Sequence, residues 1–297
     1  MKRFVVGELD AKKRLDVFVV EQWTDLSRAF VQKLCDENKI LVEGDSQKPG
    51  YKLKVGQKVQ IDYDGSELER IPEIDIPVLY EDDECVVINK PAGLLSHSKG
   101  AFNPEATVAT WMRSKVQAGL EGGDQQRMGI VHRLDRGTSG VMIVAKNPTS
   151  LAWLQKQFST RKVKKTYIAI AEGKLSPAEA IIDMPIERNP KKPQTFRVGA
   201  NGKPAKTQYK VIEVAGSESS IVSLVELKPE TGRTHQLRVH LKQLGHPIVG
   251  DAFYDGRSAE RLFLHAQNLE LTLPNRERRV FTSPLPEEFH KYMSNSA

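Results

Sequence analysis

The chain has 297 residues, 39% hydrophobic and 28% charged, a make-up expected of a globular protein with one large domain or a small one beside it. No apolar run approaches the roughly 20 residues of a membrane helix. The start, Met1-Lys2-Arg3-Phe4-Val5-Val6-Gly7-Glu8, lacks the apolar core of a signal peptide, so a cytoplasmic protein without a membrane partner is expected. The only cysteines, Cys35 and Cys85, lie in apolar surroundings and read as two unrelated buried thiols rather than a disulfide framework.

A net charge of +6 and an isoelectric point near 9.1 suggest a polyanionic partner. The charge is unevenly spread. Residues 63–84 hold nine acids against Arg70, a local balance of −8 that leaves the rest of the chain at +14. This acidic, proline-containing stretch marks a boundary. The expected layout is a small module over 1–62, a linker over 63–76 and a large domain over 77–297.

In the first part, Leu15, Phe18, Val19 and Trp23 trace one helical face, and Ala29, Phe30, Leu34 and Cys35 trace a second. Residues 40–44 and 59–62 alternate as strands around a turn at Pro49-Gly50. Arg14, Arg28, Lys33 and Lys39 make the two helices basic. From residue 76 the pattern turns to strands, at 78–80 and 85–89, followed by Lys90-Pro91-Ala92-Gly93-Leu94-Leu95. Pro91 and Gly93 predict a rigid bend; Lys90 reads as a solvated lysine or a phosphate contact. A helix is expected over 105–118 through Val108, Trp111 and Met112, then a polar loop over 119–129.

The densest chemistry lies in Val131-His132-Arg133-Leu134-Asp135-Arg136-Gly137-Thr138-Ser139-Gly140. One carboxylate stands beside two arginines, which favours its charged form and suits a nucleophile or general base near groups that grip phosphate. Gly137 and Gly140 let the backbone turn or approach another segment. The apolar run 141–145 reads as a buried strand, and Asn147-Pro148 starts a helix with a side-chain cap and a proline at its first position. That helix ends in the basic run Arg161-Lys162-Val163-Lys164-Lys165, next to Tyr167, a ring beside phosphate-binding charge. Buried strands are expected at 168–171 and 221–227, and the proline-interrupted basic stretch 183–210 reads as extended loops forming a flap that faces the polyanion. His235 and His240 lack zinc-protease spacing and a cysteine pair, so no metal site is expected. Irregular alternation of strands and helices, without a nucleotide-binding glycine fingerprint, points to an α+β fold with a mixed, largely antiparallel sheet.

The string His132-Arg133-Leu134-Asp135-x-x-Thr138-Ser139-Gly140 resembles the signature loop of the RluA-type pseudouridine synthases, with Asp135 in the place of the catalytic aspartate. Lys90-Pro91-Ala92-Gly93-Leu94 is similar to that family's first motif, and Gly232-Arg233-Thr234-His235-Gln236-Leu237-Arg238-Val239-His240 to its third. Matching stretches recur at 245–251 and 264–266, so the likeness covers about residues 76–290. Gly137 departs from the family's usual polar or acidic residue. The likeness implies that Tyr167 lies against the target uracil, Arg233 pairs with Asp135, Leu237 forms an apolar wall and Arg133 fills the space left by the flipped base.

The N-terminal pattern, centred on Ser27-Arg28-Ala29-Phe30-Val31-Gln32-Lys33-Leu34, resembles an alpha-L RNA-binding module, the layout of RluC- and RluD-like members. Arg28, Lys33, Arg161, Lys164 and Lys165 are the candidate RNA contacts. The implied reaction is uridine to pseudouridine in RNA, by a monomer, with no cofactor. Large-subunit ribosomal RNA is the favoured substrate and transfer RNA the alternative. A catalytically silent RNA-binding or assembly factor, and an RNA N-glycosylase using the same carboxylate, are the rival readings.

Overall fold

A computed structural model describes residues 2–23, 26, 28–63, 73–98, 105–116, 120, 128–217 and 220–296. The chain divides into two units: Met1–Ile74 with His97–Ser114 and Gly123–Met128, and Asp75–Ser96 with Lys115–Gly122 and Gly129–Ala297.

The first unit contains β1 (Lys2–Val5), α1 (Leu15–Gln22), α2 (Arg28–Asp36), β2 (Ile40–Val42), β3 (Asp45–Ser46) and β4 (Lys58–Ile61). Its strands form an antiparallel sheet in the order β1-β4-β2-β3. The helical spacing in the sequence puts Leu15, Phe18, Val19, Phe30 and Leu34 into one core with Ile40, Val42, Val59 and Ile61. Asp16 is fully buried, yet satisfied: Arg14 Nε, Arg28 Nη2 and Gln32 Nε2 donate to it at 2.9, 3.0 and 3.1 Å. These bonds hold its carboxyl below the usual range, against the opposing effect of burial.

The helix expected over 105–118 is a single turn, α3 (Val108–Trp111), continued by a 3-10 turn at Met112–Ser114. Thr107 caps it, exchanging hydrogen bonds with Thr110. Most of the expected acidic linker (residues 64–72), and residues 117–119 and 121–127 in and beside the expected polar loop, lie outside the described residues.

The second unit is built on a nine-stranded sheet. Its strands are β5 (Val78–Glu81), β6 (Cys85–Lys90), β7 (Ser139–Ala145), β8 (Lys164–Glu172), β9 (Glu179–Asp183), β12 (Lys206–Ala215), β13 (Val222–Pro229), β14 (Leu264–Thr272) and β15 (Arg278–Thr282). They run β5-β6-β7-β14-β8-β13-β12-β9, with β15 also on β14. Every pair is antiparallel except β7–β14, whose parallel register sets Ser139 opposite His265 and Gly140 opposite Ala266. The sheet is thus mixed and largely antiparallel, as the sequence indicates. All seven residues of β7 are buried, which explains its lack of polar alternation.

Asn147 caps α4 (Pro148–Ser159) by accepting the Ser150 N–H at 2.9 Å. Helices α5 (Gln236–Gln243) and α6 (Glu287–Ser296) complete this unit, with Leu237, Leu241, Phe289 and Met293 in its main core. The stretch 183–210, expected as loops, includes a hairpin instead, of β10 (Ile186–Arg188) and β11 (Phe196–Val198). Ile186 is buried with Ala205, Val239 and Tyr254, and Phe196 and Val198 pack against this group, so the apolar residues of the hairpin supply the order that its charges and prolines obscure. Among the described residues no helix is long and apolar enough to cross a membrane.

Candidate active site

The loop carrying Asp135 is seated by the Lys90–Ser96 segment. Ser96 Oγ donates to the Leu134 carbonyl at 2.8 Å and accepts the Leu134 N–H at 3.1 Å. On the other side of Asp135, the Arg136 carbonyl accepts the Gly93 N–H at 2.8 Å. Gly93 has φ +87°, so the bend needs glycine's freedom. The Thr138 N–H closes the turn on the Asp135 carbonyl at 3.0 Å.

Lys90 corrects the reading of a solvated lysine. It is fully buried, and its Nζ donates to the carbonyls of Pro91, Leu94 and Arg136 at 2.9, 2.7 and 3.3 Å. Burial lowers its pKa to about 7, against the pull of the Asp135 charge. Beyond the loop, a Cβ on Gly140 would stand 2.1 Å from the Ala266 carbonyl oxygen, so only glycine permits this approach of β7 to β14.

Arg133, Asp135, Tyr167, Arg233 and Leu237 all line one cavity of about 550 Å³. Arg161 and Lys165 line it too. Lys165 Nζ donates to the Thr231 carbonyl at 3.4 Å, and burial lowers its pKa to about 8. Lys164 is exposed, 3.5 Å from Glu270, and belongs to a neighbouring cavity of about 490 Å³. Arg28 and Lys33 lie in the first unit, the former bonded to Asp16 and the latter 3.6 Å from Glu37. Burial, and then the Asp135 charge, push the Tyr167 phenol above its ordinary range.

The expected Arg233–Asp135 pair is not formed. Arg238 is the partner: its Nη1 lies 3.2 Å from Asp135 Oδ2, while its Nε and Nη2 hold both oxygens of buried Asp251 at 2.7 Å. Burial opposes the Arg238 charge, but pairing with Asp251 and then Asp135 outweighs it and raises the pKa. Arg233 Nε instead donates to the Pro204 carbonyl at 3.0 Å.

The reason is where the helix begins. Gln236 Oε1 accepts from Thr231 Oγ1 and the Arg233 N–H at 2.7 and 3.0 Å, and its Nε2 donates to Lys206 O and Thr207 Oγ1 at 3.0 and 2.9 Å. These four bonds fix the turn, His235 takes a left-handed conformation at φ 56°, and α5 starts at Gln236. Arg238 therefore lies in its first turn.

Two further histidines, His132 and His240, have structural partners. His132 Nε2 accepts the Ile143 N–H at 3.1 Å and its ring stacks on Phe158; burial lowers its pKa to about 3. His240 lies between Thr207 Oγ1 and the Met184 carbonyl, each at 3.0 Å. Among the described residues, no group of three or more His, Cys, Asp or Glu side chains is placed to hold a metal.

A carboxylate anchored by a buried cation thus shares a cavity with an aromatic ring, an apolar wall and a rim of basic side chains. This arrangement has the chemistry to take in a flat base with its sugar and phosphates, which fits an enzyme acting on nucleic acid.

The comparisons with known proteins agree. A family model described as RNA pseudouridylate synthase matches residues 84–243. Ribosomal large subunit pseudouridine synthase D of Xanthomonas campestris is 34% identical over 99% of this chain and 92% of its own. Its namesake from Escherichia coli is 37% identical over 85% of this chain and 76% of its own. Among solved structures, human RNA pseudouridylate synthase domain containing 1 is 30% identical with a TM-score of 0.55, covering 72% of this chain and 85% of that one. The chain belongs to the RNA pseudouridylate synthase family and is an RNA pseudouridine synthase, an isomerase.

Proposed function

We propose that this enzyme converts specific uridines of large-subunit ribosomal RNA to pseudouridine, with Asp135 as its catalytic carboxylate. The observation that carries the assignment is the shared cavity: Asp135, Tyr167 and Leu237 line it together, with Asp135 Oδ2 anchored by Arg238. The names of the Xanthomonas and Escherichia relatives support the ribosomal substrate.

In this reading the uridine flips into the cavity, at a cost of a few kcal/mol that basic contacts offset. Its uracil rests on Tyr167 above Leu237, and Arg133 enters the space that it leaves. Asp135 attacks the ribose or removes a ribose proton, the C1′–N1 bond breaks, the uracil turns and C5 bonds to C1′. N1 gains a proton and C5 loses one, so the product is an isomer and the stoichiometry requires no cofactor. Arg161, Lys164, Lys165 and Arg233 serve the flanking phosphates. Residues 1–62, with Arg28 and Lys33, form an alpha-L type RNA-binding module joined by a linker over 63–76 to a catalytic domain over 77–297. The protein works as a monomer in the cytoplasm.

Pseudouridine mapping of total RNA from cells with and without this protein tests the proposal. Sites lost from large-subunit ribosomal RNA are the expected result. Loss confined to transfer RNA would overturn the substrate, and no loss at all would overturn the activity in the cell.

A further inference from the structure

His235 sits beside the proposed catalytic carboxylate in a conformation few residues adopt. Its φ of 56° lies in the left-handed region, where asparagine is the side chain best tolerated after glycine. The ring is held on three sides: parallel to Phe253 at 6.3 Å, edge-on to Phe196 at 5.7 Å and edge-on to Tyr254 at 5.6 Å.

Its hydrogen-bond partners bear on which ring nitrogen carries the proton. The Tyr254 phenol oxygen accepts the Phe196 N–H at 2.9 Å and lies 2.7 Å from His235 Nδ1. Among the described residues, Nδ1 is the acceptor within reach of the phenol's own proton, and the contact is satisfied when Tyr254 donates and Nδ1 accepts. A neutral imidazole must then carry its hydrogen on Nε2. Burial favours that neutral form, against the nearby charge of Asp135. Nε2 stands 3.8 Å from Asp135 Oδ2, the same oxygen that Arg238 contacts at 3.2 Å. No described residue donates a hydrogen bond to Oδ1.

We infer that His235 is a positioning residue for Asp135. Its Nε2–H closes on Oδ2 when substrate fills the cavity, as catalytic hydrogen bonds commonly tighten on binding. Arg238 and His235 then hold one oxygen and present Oδ1 to the ribose. The β10–β11 hairpin governs this contact, because the Phe196 backbone orients Tyr254 and Tyr254 sets the tautomer. The inference rests on Asp135 being the catalytic carboxylate.

The test is single-turnover release of tritium from in-vitro transcribed large-subunit ribosomal RNA labelled at uracil C5. His235→Gln places an amide N–H near the Nε2 position, whereas His235→Asn places one near Nδ1 and suits the left-handed backbone better. Tyr254→Phe removes the proton donor and frees the tautomer. Expected are a rate for His235→Gln within about 10-fold of wild type and losses of about 100-fold for His235→Asn and Tyr254→Phe. The RNA concentration at half-maximal rate should change by less than about threefold in all three.

A merely structural histidine would give the reverse order, since asparagine fits the backbone. His235→Asn matching or exceeding His235→Gln, or effects confined to RNA binding, would overturn the inference. So would Tyr254→Phe at the wild-type rate. Asp135→Asn, run alongside, separates the two levels: activity in that variant removes the catalytic assignment itself, and a silent wild type removes the choice of RNA.

Discussion

Arg238 grips Asp251 with two nitrogens and reaches Asp135 with the third, so the buried Asp251 aims the guanidinium at the half-buried Asp135. A lysine ammonium cannot span that geometry. Arg238→Lys should therefore lose about as much activity as Arg238→Ala, on the order of 100-fold in kcat, and both should lower the melting temperature because buried Asp251 loses the two-nitrogen grip of the guanidinium. Arg233→Lys should stay within a few-fold of wild type in kcat. Steady-state rates and thermal melts on these variants check the assignment; a lysine at 238 that restores most of the rate would refute it.

Asp135→Asn should leave less than about 1% of the wild-type rate while RNA affinity changes only a few-fold. The variant keeps the size and shape of the side chain and leaves unchanged the backbone bonds that Leu134, Arg136 and Thr138 make around it. Filter binding and tritium release on the same RNA separate the two effects.

Tyr167 separates stacking from hydrogen bonding. Tyr167→Phe should keep most of the substrate affinity, because the ring survives in the cavity wall. Tyr167→Ala should cost about 1–3 kcal/mol of binding. Equal losses in the two variants would mean that the hydroxyl, rather than the ring, carries the contact.

Lys90 predicts a dependence of stability on pH. Its pKa is about 7 when folded, against an ordinary 10.5. Between those values the unfolded chain binds a proton that the folded chain has released, so this group makes stability rise with pH across the window. Below it, the folded chain must carry a charge in a dry site. The urea midpoint of wild type should climb relative to that of Lys90→Met from pH 7 upward. A difference that does not change with pH would show that the three carbonyls keep the ammonium charged throughout.

In the first unit, Arg28 and Lys33 should behave differently despite their equal charge. Arg28 donates to the fully buried Asp16, so Arg28→Ala should lower the melting temperature as well as RNA affinity. Lys33 lies on the surface, 3.6 Å from Glu37; Lys33→Ala should leave the melt unchanged and reduce the salt dependence of binding by about one counterion. Melting curves and affinities at several salt concentrations distinguish them.

Much of the local structure was legible from residue patterns. The apolar run of β7, the Asn147-Pro148 cap of α4 and the two faces of α1 and α2 depend on neighbours in sequence, and they fall where spacing puts them. The residues gathered around the cavity were legible through their motifs. Which arginine meets Asp135 was not, because the choice depends on four bonds from Gln236 and on Asp251, thirteen residues beyond Arg238. Lys90 was misread for a related reason: burial is a property of what lies around a side chain, and the Arg136 carbonyl that it reaches is 46 residues away.

The parallel pairing of β7 with β14 also sets a timetable for synthesis. Ser139, four residues after Asp135, bonds through Oγ to His265 Nδ1 at 2.8 Å, across 126 residues of chain. A nascent chain that has just made the loop therefore lacks one flank of the strand that anchors it. At about 5–20 residues per second, the missing strand follows roughly 6–25 seconds later. Until then an emerging chain carries the Asp135 loop without β14 beside β7.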